Sequence, residues 1–208
     1  AHQAQAELPE TIPLFGNCQA HRGPGNPYLP FRTACSLLVG QIEPHWQRGT
    51  LNRQQATRLW MLHQPAVAEL LLHGPDLVDS FVSRTILPQE QISHDTAVSA
   101  APSQAILFAQ ITAVLQAMTQ HGPILLLLDD LQWADNSSLD LLVHLSHQLR
   151  GYPVLLVGAY RPEEVLQTAD GQRHPLLRLG HELATEFGEI EIGLDGAGGR
   201  PFVDALLD

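Results

Sequence analysis

Two adjacent aspartates follow a run of five aliphatic residues in the stretch ILLLLDDLQWAD, residues 124–135. Like charges repel, and a carboxylate beside an apolar core costs free energy unless something compensates it. A divalent cation offsets the repulsion, and Mg²⁺ favours carboxylate oxygens while it keeps several of its waters. With one of the two carboxylates at the metal, the other can orient a water for in-line attack on a phosphorus atom. The pair therefore suits a metal-assisted site for phosphoryl transfer.

An arginine that suits the same chemistry follows the next apolar run. Arg161 ends the stretch VLLVGAYR, and its planar, permanently charged guanidinium matches phosphate oxygens. A purely structural interpretation is also available, because Asp135 or Asn136 can cap the next helix and Arg161 can pair with one of the two glutamates after Pro162. The residues alone leave both interpretations open.

The elements that must position these residues alternate between strands and helices. A short apolar run between Gly-Pro and Asp-Asp is typical of a doubly buried parallel strand, although leucine favours helices. Strands are predicted within 11–20, 124–128, 152–160 and 189–194, and helices at 31–42, 101–122, 136–151 and 174–188. This order predicts an α/β fold, with a parallel sheet and helices on both faces. In such folds ligands bind at the carboxyl ends of the strands, where Asp129, Asp130 and Arg161 fall.

The remaining segments give weaker signals. Residues 50–86 are predicted to form two or three short helices, one ending before Pro65 and another ending at Gly74-Pro75. Residues 87–100 are polar and predicted to be an exposed loop, and 199–208 are predicted to begin a helix. On the 101–122 helix, the apolar stripe is predicted to be Ile106, Ile111, Val114, Leu115 and Met118.

The predicted helix at 136–151 carries two further signals. Ser137, with Asp140 three residues later, resembles a capping box. Asp140, His144 and His147 share one helical face and have the residue types of a metal site. A solvated face is the simpler interpretation, because no second carboxylate or cysteine supports the cluster.

Composition limits the classes of function. The 208 residues carry a formal charge of -11, which argues against a broad nucleic-acid or anionic-membrane surface. No apolar run is long enough to span a bilayer, and the first residues are not a signal peptide. Two cysteines are too few for a disulfide framework, so we expect reduced thiols in a cytoplasmic protein. All eleven basic residues are arginines, and the sequence contains no lysine.

Residues 124–149, followed by YPVLLVGAYRPEE, resemble the Walker B and sensor 1 regions of STAND-type signalling ATPases. These are AAA-like modules found in large LuxR-type transcriptional regulators, some adenylate cyclases and kinase–ATPase fusions. The string DDLQWAD is highly specific to that group. Residues 16–38, with the pattern Pro-Tyr-x-Pro-Phe, resemble the segment after the phosphate-loop helix, and 174–196 resemble the segment leading to the lid. The resemblance covers roughly residues 12–208.

The resemblance implies a P-loop NTPase of the ASCE/AAA-like class that binds ATP or ADP with Mg²⁺. Asp129 matches the Walker B acid associated with Mg²⁺, and Asp130 matches the position that polarises the attacking water. Arg161 matches the sensor arginine that reaches the γ-phosphate. The sequence Gly158-Ala159-Tyr160-Arg161 keeps this arginine but lacks the threonine that often precedes it, so any role of that hydroxyl is lost.

The phosphate loop is missing from this sequence. The motif G-x-x-x-x-G-K-[ST] supplies backbone N–H groups and a lysine to the phosphates, and a chain without lysine cannot contain it. We therefore expect a fragment of a longer protein that begins after the first strand and the Walker A loop, and so lacks the central strand of a family sheet with the order 5-1-4-3-2. The expected organisation is an edge or linker at 1–11, a partial ATPase core at 12–194 and the start of a lid at 195–208.

The leading functional hypothesis is part of an ATP-binding and ATP-hydrolysing switch in signal transduction or transcription regulation, inactive as this fragment alone. The expected partners are a nucleotide and other domains of the same polypeptide, with nucleotide-dependent self-association also compatible; direct nucleic-acid and membrane binding are not expected. A degenerate, non-hydrolysing interaction scaffold of the same fold is the alternative. A metal-dependent hydrolase that uses Asp129 and Asp130 is weaker, because no other ligand cluster accompanies them.

Overall fold

Three of the predicted apolar runs form one sheet in the computed structural model, which describes residues 10–20, 27–82, 102–166 and 174–193. The strands are β1 (Ile12–Asn17), β2 (Ile124–Asp129) and β3 (Val154–Gly158). All three are parallel, and β2 lies between the other two. The predicted α/β fold with a parallel sheet is therefore confirmed.

Helices connect and follow these strands in the described residues. Two 3₁₀ turns, Thr119–His121 and Leu131–Trp133, lie immediately before and after β2. The α-helices of the described residues are α1 (Leu29–Leu38), α2 (Glu43–Gln47), α3 (Arg53–His73), α4 (Leu77–Ser80), α5 (Gln104–Met118), α6 (Asn136–Gln148), α7 (Pro162–Leu166) and α8 (Pro175–Phe187).

The two faces of the sheet differ in how well they are covered. Side chains alternate between faces along a strand, and parallel register places the equivalent residues of neighbouring strands on the same face. On one face the side chains of β1 and β2 are almost completely buried: Ile12, Leu14, Ile124, Leu126 and Leu128. On the opposite face the cover becomes thin at β3, where Leu155 is 61% exposed and Val157 is 37% exposed. Helix α1 packs closely against β1, and α3 also contacts that strand.

Helix α3 corrects the prediction of two separate helices on either side of Pro65, whereas the third predicted short helix is present as α4. It runs for 21 residues and contains Pro65 in its interior. It begins with a capping box, in which Asn52 and Gln55 each bond the other's backbone N–H. Its buried stripe continues on both sides of the proline and packs against α1 and α5. Burial of several leucine-sized side chains, at ~1.5–3 kcal/mol each, outweighs the ~3 kcal/mol that proline costs in a helix.

Helix α5 agrees with its predicted stripe at four of five positions. Ile111, Val114, Leu115 and Met118 are buried, whereas Ile106 lies in the first turn and is exposed. The chain then turns at Gly122, whose φ of 147° is disfavoured for other residues, and where a Cβ would overlap the carbonyl oxygen of Glu10. This glycine lets the chain pass from the 3₁₀ turn Thr119–His121 into β2.

Two other local predictions are wrong. The N-cap of α6 is Asp135, whose Oδ1 accepts the backbone N–H of Ser138 at 3.0 Å, so Ser137 and Asp140 do not form the capping box. The predicted strand at 189–194 is absent over its described part, 189–193. Alternating apolar residues form a strand only where another strand offers backbone groups, and this segment is attached instead by a side chain, since the Tyr160 hydroxyl donates to Glu191 at 3.1 Å.

Several predictions fall outside the described residues. These are the loop at 87–100, the helix at 199–208 and the lid at 195–208. Within the described ranges, no helix is both long enough and apolar enough to cross a bilayer.

Candidate functional site

The carboxyl ends of the three strands meet at one edge of the sheet. Asn17 at the end of β1 is in register with Asp129 at the end of β2, and Leu128 is in register with Gly158, the last residue of β3. The backbone N–H of Cys18 donates to the carbonyl oxygen of Asp129 at 3.0 Å. Asp129 therefore stands at the centre of the edge where ligands are expected.

The turn after β2 is attached to the residues that follow β3. The N–H of Leu131 donates to the carbonyl oxygen of Ala159 at 2.9 Å, and the N–H of Ala159 donates to that of Leu128 at 2.9 Å. A Cβ on Gly158 would overlap the side chain of Leu131, so glycine permits this close approach. The connection brings the chain leading to Arg161 beside the two aspartates.

Asp129 and Asp130 are neighbours in sequence but have different environments. The exposed Asp129 accepts the backbone N–H of Asp130 on Oδ1 at 2.9 Å. Asp130 has the left-handed conformation φ 56°, ψ 43°, which aspartate tolerates better than most residues but which still carries strain. Its Oδ1 accepts the side-chain N–H of Gln132 at 2.9 Å. Each carboxylate thus has its own N–H donor.

Arg161 lies close to the aspartates and also has a local partner. Its Nη2 is 3.9 Å from Oδ1 of Asp130, and its Nη1 donates to Oε1 of Glu164 at 3.1 Å. The side chain is 66% exposed, so both pairings are weak and a stronger anion can displace them. The pairing of Arg161 with a following glutamate is thus present in the structure, and its role in binding phosphate stays a prediction.

Gln132 and His174 connect the site to the rest of the molecule. The side-chain amide of Gln132 is buried; it donates to Oδ1 of Asp130 at 2.9 Å and accepts the backbone N–H of Arg161 at 3.2 Å. Sequence reasoning misses His174, whose Nε2 lies 3.1 Å from the carbonyl oxygen of Gln132. A histidine directly before the Pro175 that opens α8 is the available signal, because that is a helix-capping position. Trp133, the next residue of the turn, is 46% exposed.

Negative charge accumulates at this edge. Cys18 is buried there, and burial together with Asp135, Asp130 and Asp129 raises the pKa of its thiol to about 12. The thiol is therefore protonated at neutral pH when no cation is bound beside it. The combined field of the three carboxylates favours a bound cation instead.

The residues present fit Mg²⁺ but not a metal held by protein alone. In the described ranges, no group of three or more His, Cys, Asp or Glu side chains can hold a metal ion. Mg²⁺ is usually bound by one or two carboxylates, with waters and substrate phosphates completing its shell. Asp129 and Asp130 supply carboxylate oxygens of this kind, so the site suits a magnesium ion that arrives with a phosphate ligand.

The alternative metal cluster on α6 does not form. His144 packs against Phe108, with ring centroids 5.2 Å apart, and Nδ1 of His147 pairs with Oε2 of Glu186 at 2.8 Å. Burial lowers the pKa of His144, and the neighbouring His147 lowers it further. These histidines join helices rather than forming a ligand site.

A family model described as AAA ATPase domain matches residues 1–157. The chain belongs to this family. Neither the curated proteins nor the solved structures give a significant match. AAA ATPase domains bind nucleotide, generally with Mg²⁺, and use it in nucleotide-dependent ATPase function. The matched segment contains Asp129 and Asp130 and ends four residues before Arg161.

Proposed function

We propose that this AAA ATPase domain is part of an ATP-hydrolysing switch in a signal-transduction or transcription-regulatory protein of the STAND type. One observation carries the proposal: two aspartates at the carboxyl end of β2 lie beside an arginine that follows β3, with 3.9 Å between Nη2 of Arg161 and Oδ1 of Asp130. This arrangement combines a metal-binding oxygen, a base for water and a cation for phosphate at one edge of a parallel sheet.

Each residue has a separate role in the proposed site. Asp129, at the exposed end of the central strand, would hold Mg²⁺, which supplies charge neutralisation for the phosphates. Asp130 would accept a hydrogen bond from the attacking water and so orient it. Arg161 would leave Glu164 and bond the γ-phosphate, because a phosphate carries more charge than a single carboxylate. Release of the product phosphate would break this contact with Arg161.

A switch requires that ATP and ADP favour different arrangements of the molecule. A nearly complete change of population needs about 5.5 kcal/mol of differential binding, and contacts of Arg161 and of the metal with the γ-phosphate would supply part of it. The segment 195–208 is proposed to begin the lid, and hydrolysis would reset the switch. Other domains of the same polypeptide would receive the signal.

A second candidate is a non-hydrolysing interaction scaffold of the same fold. The observation that favours it is the absence of lysine from all 208 residues, which excludes the Walker A motif from this sequence. If the full-length protein also lacks that motif, binding of the β- and γ-phosphates loses its main contacts. This chain by itself is expected to bind ATP weakly, and a low-micromolar dissociation constant by calorimetry would contradict that expectation.

The decisive experiment compares Asp130→Asn with the wild type in the full-length protein. The substitution keeps the size of the side chain but removes the charge that orients water, so we expect ATP binding to persist and phosphate release to be lost. Asp140→Asn makes the same chemical change at an exposed position on α6 and should leave both measurements unchanged. Unchanged phosphate release in Asp130→Asn would refute the proposed role, and no ATP binding by the wild type would favour the scaffold.

A further inference from the structure

The side-chain amide of Gln132 joins two residues that the proposed site uses. Gln132 is only 4% exposed, so its polar atoms depend on protein partners. Its Nε2 donates to Oδ1 of Asp130 at 2.9 Å, and its Oε1 accepts the backbone N–H of Arg161 at 3.2 Å. With the amide reversed, an oxygen would face the carboxylate and an NH₂ group would face the N–H. The orientation is therefore fixed by both neighbours.

Other side chains of this size cannot make both bonds. Glutamate keeps an acceptor for the N–H of Arg161 but loses the donor and adds a charge beside Asp130. Methionine fills a similar volume and makes neither bond. Asparagine has the right groups, but it is one methylene shorter and cannot reach both partners from the same backbone position. The two contacts thus need the length and the chemistry of glutamine.

His174 continues the connection to α8. The backbone carbonyl oxygen of Gln132 can only accept a hydrogen bond. Nε2 of His174 therefore carries the proton of the 3.1 Å hydrogen bond between them. Nδ1 of the neutral ring then accepts the backbone N–H of Leu176 at 3.1 Å and caps the first turn of α8. One imidazole therefore bonds the turn that holds Asp130 and the start of a helix that lies far along the chain.

The far end of α8 is held independently of the site. Glu186 pairs with His147 at 2.8 Å and with Arg150 at 2.9 Å, and the guanidinium of Arg150 lies 5.2 Å from the ring centroid of Phe187. These contacts attach the last turn of α8 to the end of α6. The first turn of α8, by contrast, is connected through His174 to the turn after β2.

We propose that Gln132 is a positioning residue that sets Asp130 and Arg161 relative to each other, and that His174 couples this arrangement to docking of the first turn of α8. The inference rests on the proposed function and adds a way to regulate it. When the first turn of α8 separates from the backbone carbonyl of Gln132, ATP hydrolysis at the site that contains Asp130 slows. Neither residue touches the reacting atoms in this scheme. Both act through the hydrogen bonds described above.

The kinetic test uses the full-length protein and measures phosphate release. Gln132→Glu and Gln132→Met should each lower kcat roughly tenfold, the effect typical of losing a hydrogen bond to a charged group, with KM changed less than about twofold. His174→Ala should lower kcat about threefold or more, because it acts one bond further away. The controls are Gln104→Glu and His181→Ala, at exposed positions on α5 and α8, and both should leave kcat unchanged.

A second measurement does not depend on ATP turnover. Gln132→Glu keeps the backbone carbonyl that His174 bonds, but the added carboxylate beside Asp130 should displace the turn that carries this carbonyl and weaken the bond. Hydrogen exchange of the Leu176 amide reports the capping bond directly, so it should become at least about threefold faster in Gln132→Glu without nucleotide. Gln104→Glu should leave this rate unchanged. If Gln132→Glu does not fold, Gln132→Met serves for both measurements, because it places an apolar side chain of similar volume in the buried position.

The outcomes separate this inference from the proposed function. If Asp130→Asn abolishes turnover while both Gln132 variants keep wild-type kcat, the positioning role is refuted and the ATPase proposal stands. If Asp130→Asn keeps turnover, the ATPase proposal fails, and the exchange rate of the Leu176 amide still decides the connection to α8. An unchanged exchange rate in the Gln132 variants would overturn that connection.

Discussion

Replacing Pro65 with alanine should stabilise the protein, because Pro65 lies inside the continuous helix α3. Alanine restores an N–H that can donate to the carbonyl oxygen of Met61, and it removes the clash between the proline ring and that carbonyl. The difference between proline and alanine inside a helix is ~3 kcal/mol. Met61 is exposed, so water already satisfies part of its carbonyl, and proline also restricts the unfolded chain by ~0.4–1 kcal/mol. We expect a net gain of about 1–2 kcal/mol.

Thermal unfolding followed by circular dichroism measures this gain. For a chain of about this size, 1 kcal/mol corresponds to about 2–4 °C, so the midpoint should rise by about 2–8 °C. Pro44→Ala is the matched control, because Pro44 occupies the first turn of α2, where its missing N–H has no helical partner. It should give no gain. A midpoint that falls in Pro65→Ala, or that changes equally in both variants, would refute a continuous α3.

Two further predictions concern packing and pH. Gly16→Ala should destabilise the protein by ~1–3 kcal/mol in urea unfolding, because the added Cβ would overlap the carbonyl oxygen of Pro30. Position 193 faces open space, so the control Gly193→Ala should change the free energy of unfolding by less than ~0.5 kcal/mol. Equal effects of the two substitutions would contradict the close packing at Gly16. Burial and then His147 lower the pKa of His144 below 6.5, so acidification through pH 6.5 protonates the unfolded chain first and reduces stability. His144→Gln should therefore lose less stability than the wild type between pH 7 and pH 5, and parallel losses in the urea midpoint would count against this assignment.

The central sheet could be predicted because its signal is local. The strands are short, mainly apolar runs with glycine, proline or aspartate residues within or beside them, and these features lie within a few positions of one another. Two local rules failed where packing decided the structure. Pro65 signals a helix boundary, but burial on both sides of it favours one helix. The alternation at 189–193 signals a strand, but no backbone edge pairs with it in the described residues.

The candidate site shows the same division between local and distant information. Asp129, Asp130 and Arg161 could be selected because their residue types and places at strand ends are visible in the sequence. The contacts of Gln132 with Arg161 and of His174 with Gln132 join residues 29 and 42 positions apart, and the sequence alone does not specify such pairs. The left-handed backbone conformation of Asp130 also could not be predicted from the sequence, because most turns that lead into a helix do not require a residue in this conformation.

The thin cover of β3 has a practical consequence for work with this chain. In the described sheet β3 is an edge strand, and Leu155 and Val157 leave apolar surface beside its free backbone groups. Such an edge can template pairing with another chain, and no lysine or proline interrupts the strand to prevent it. Concentrated samples of the isolated chain should therefore aggregate through pairing of β3 between molecules. A charged residue in place of Leu155 is the simplest way to keep them in solution.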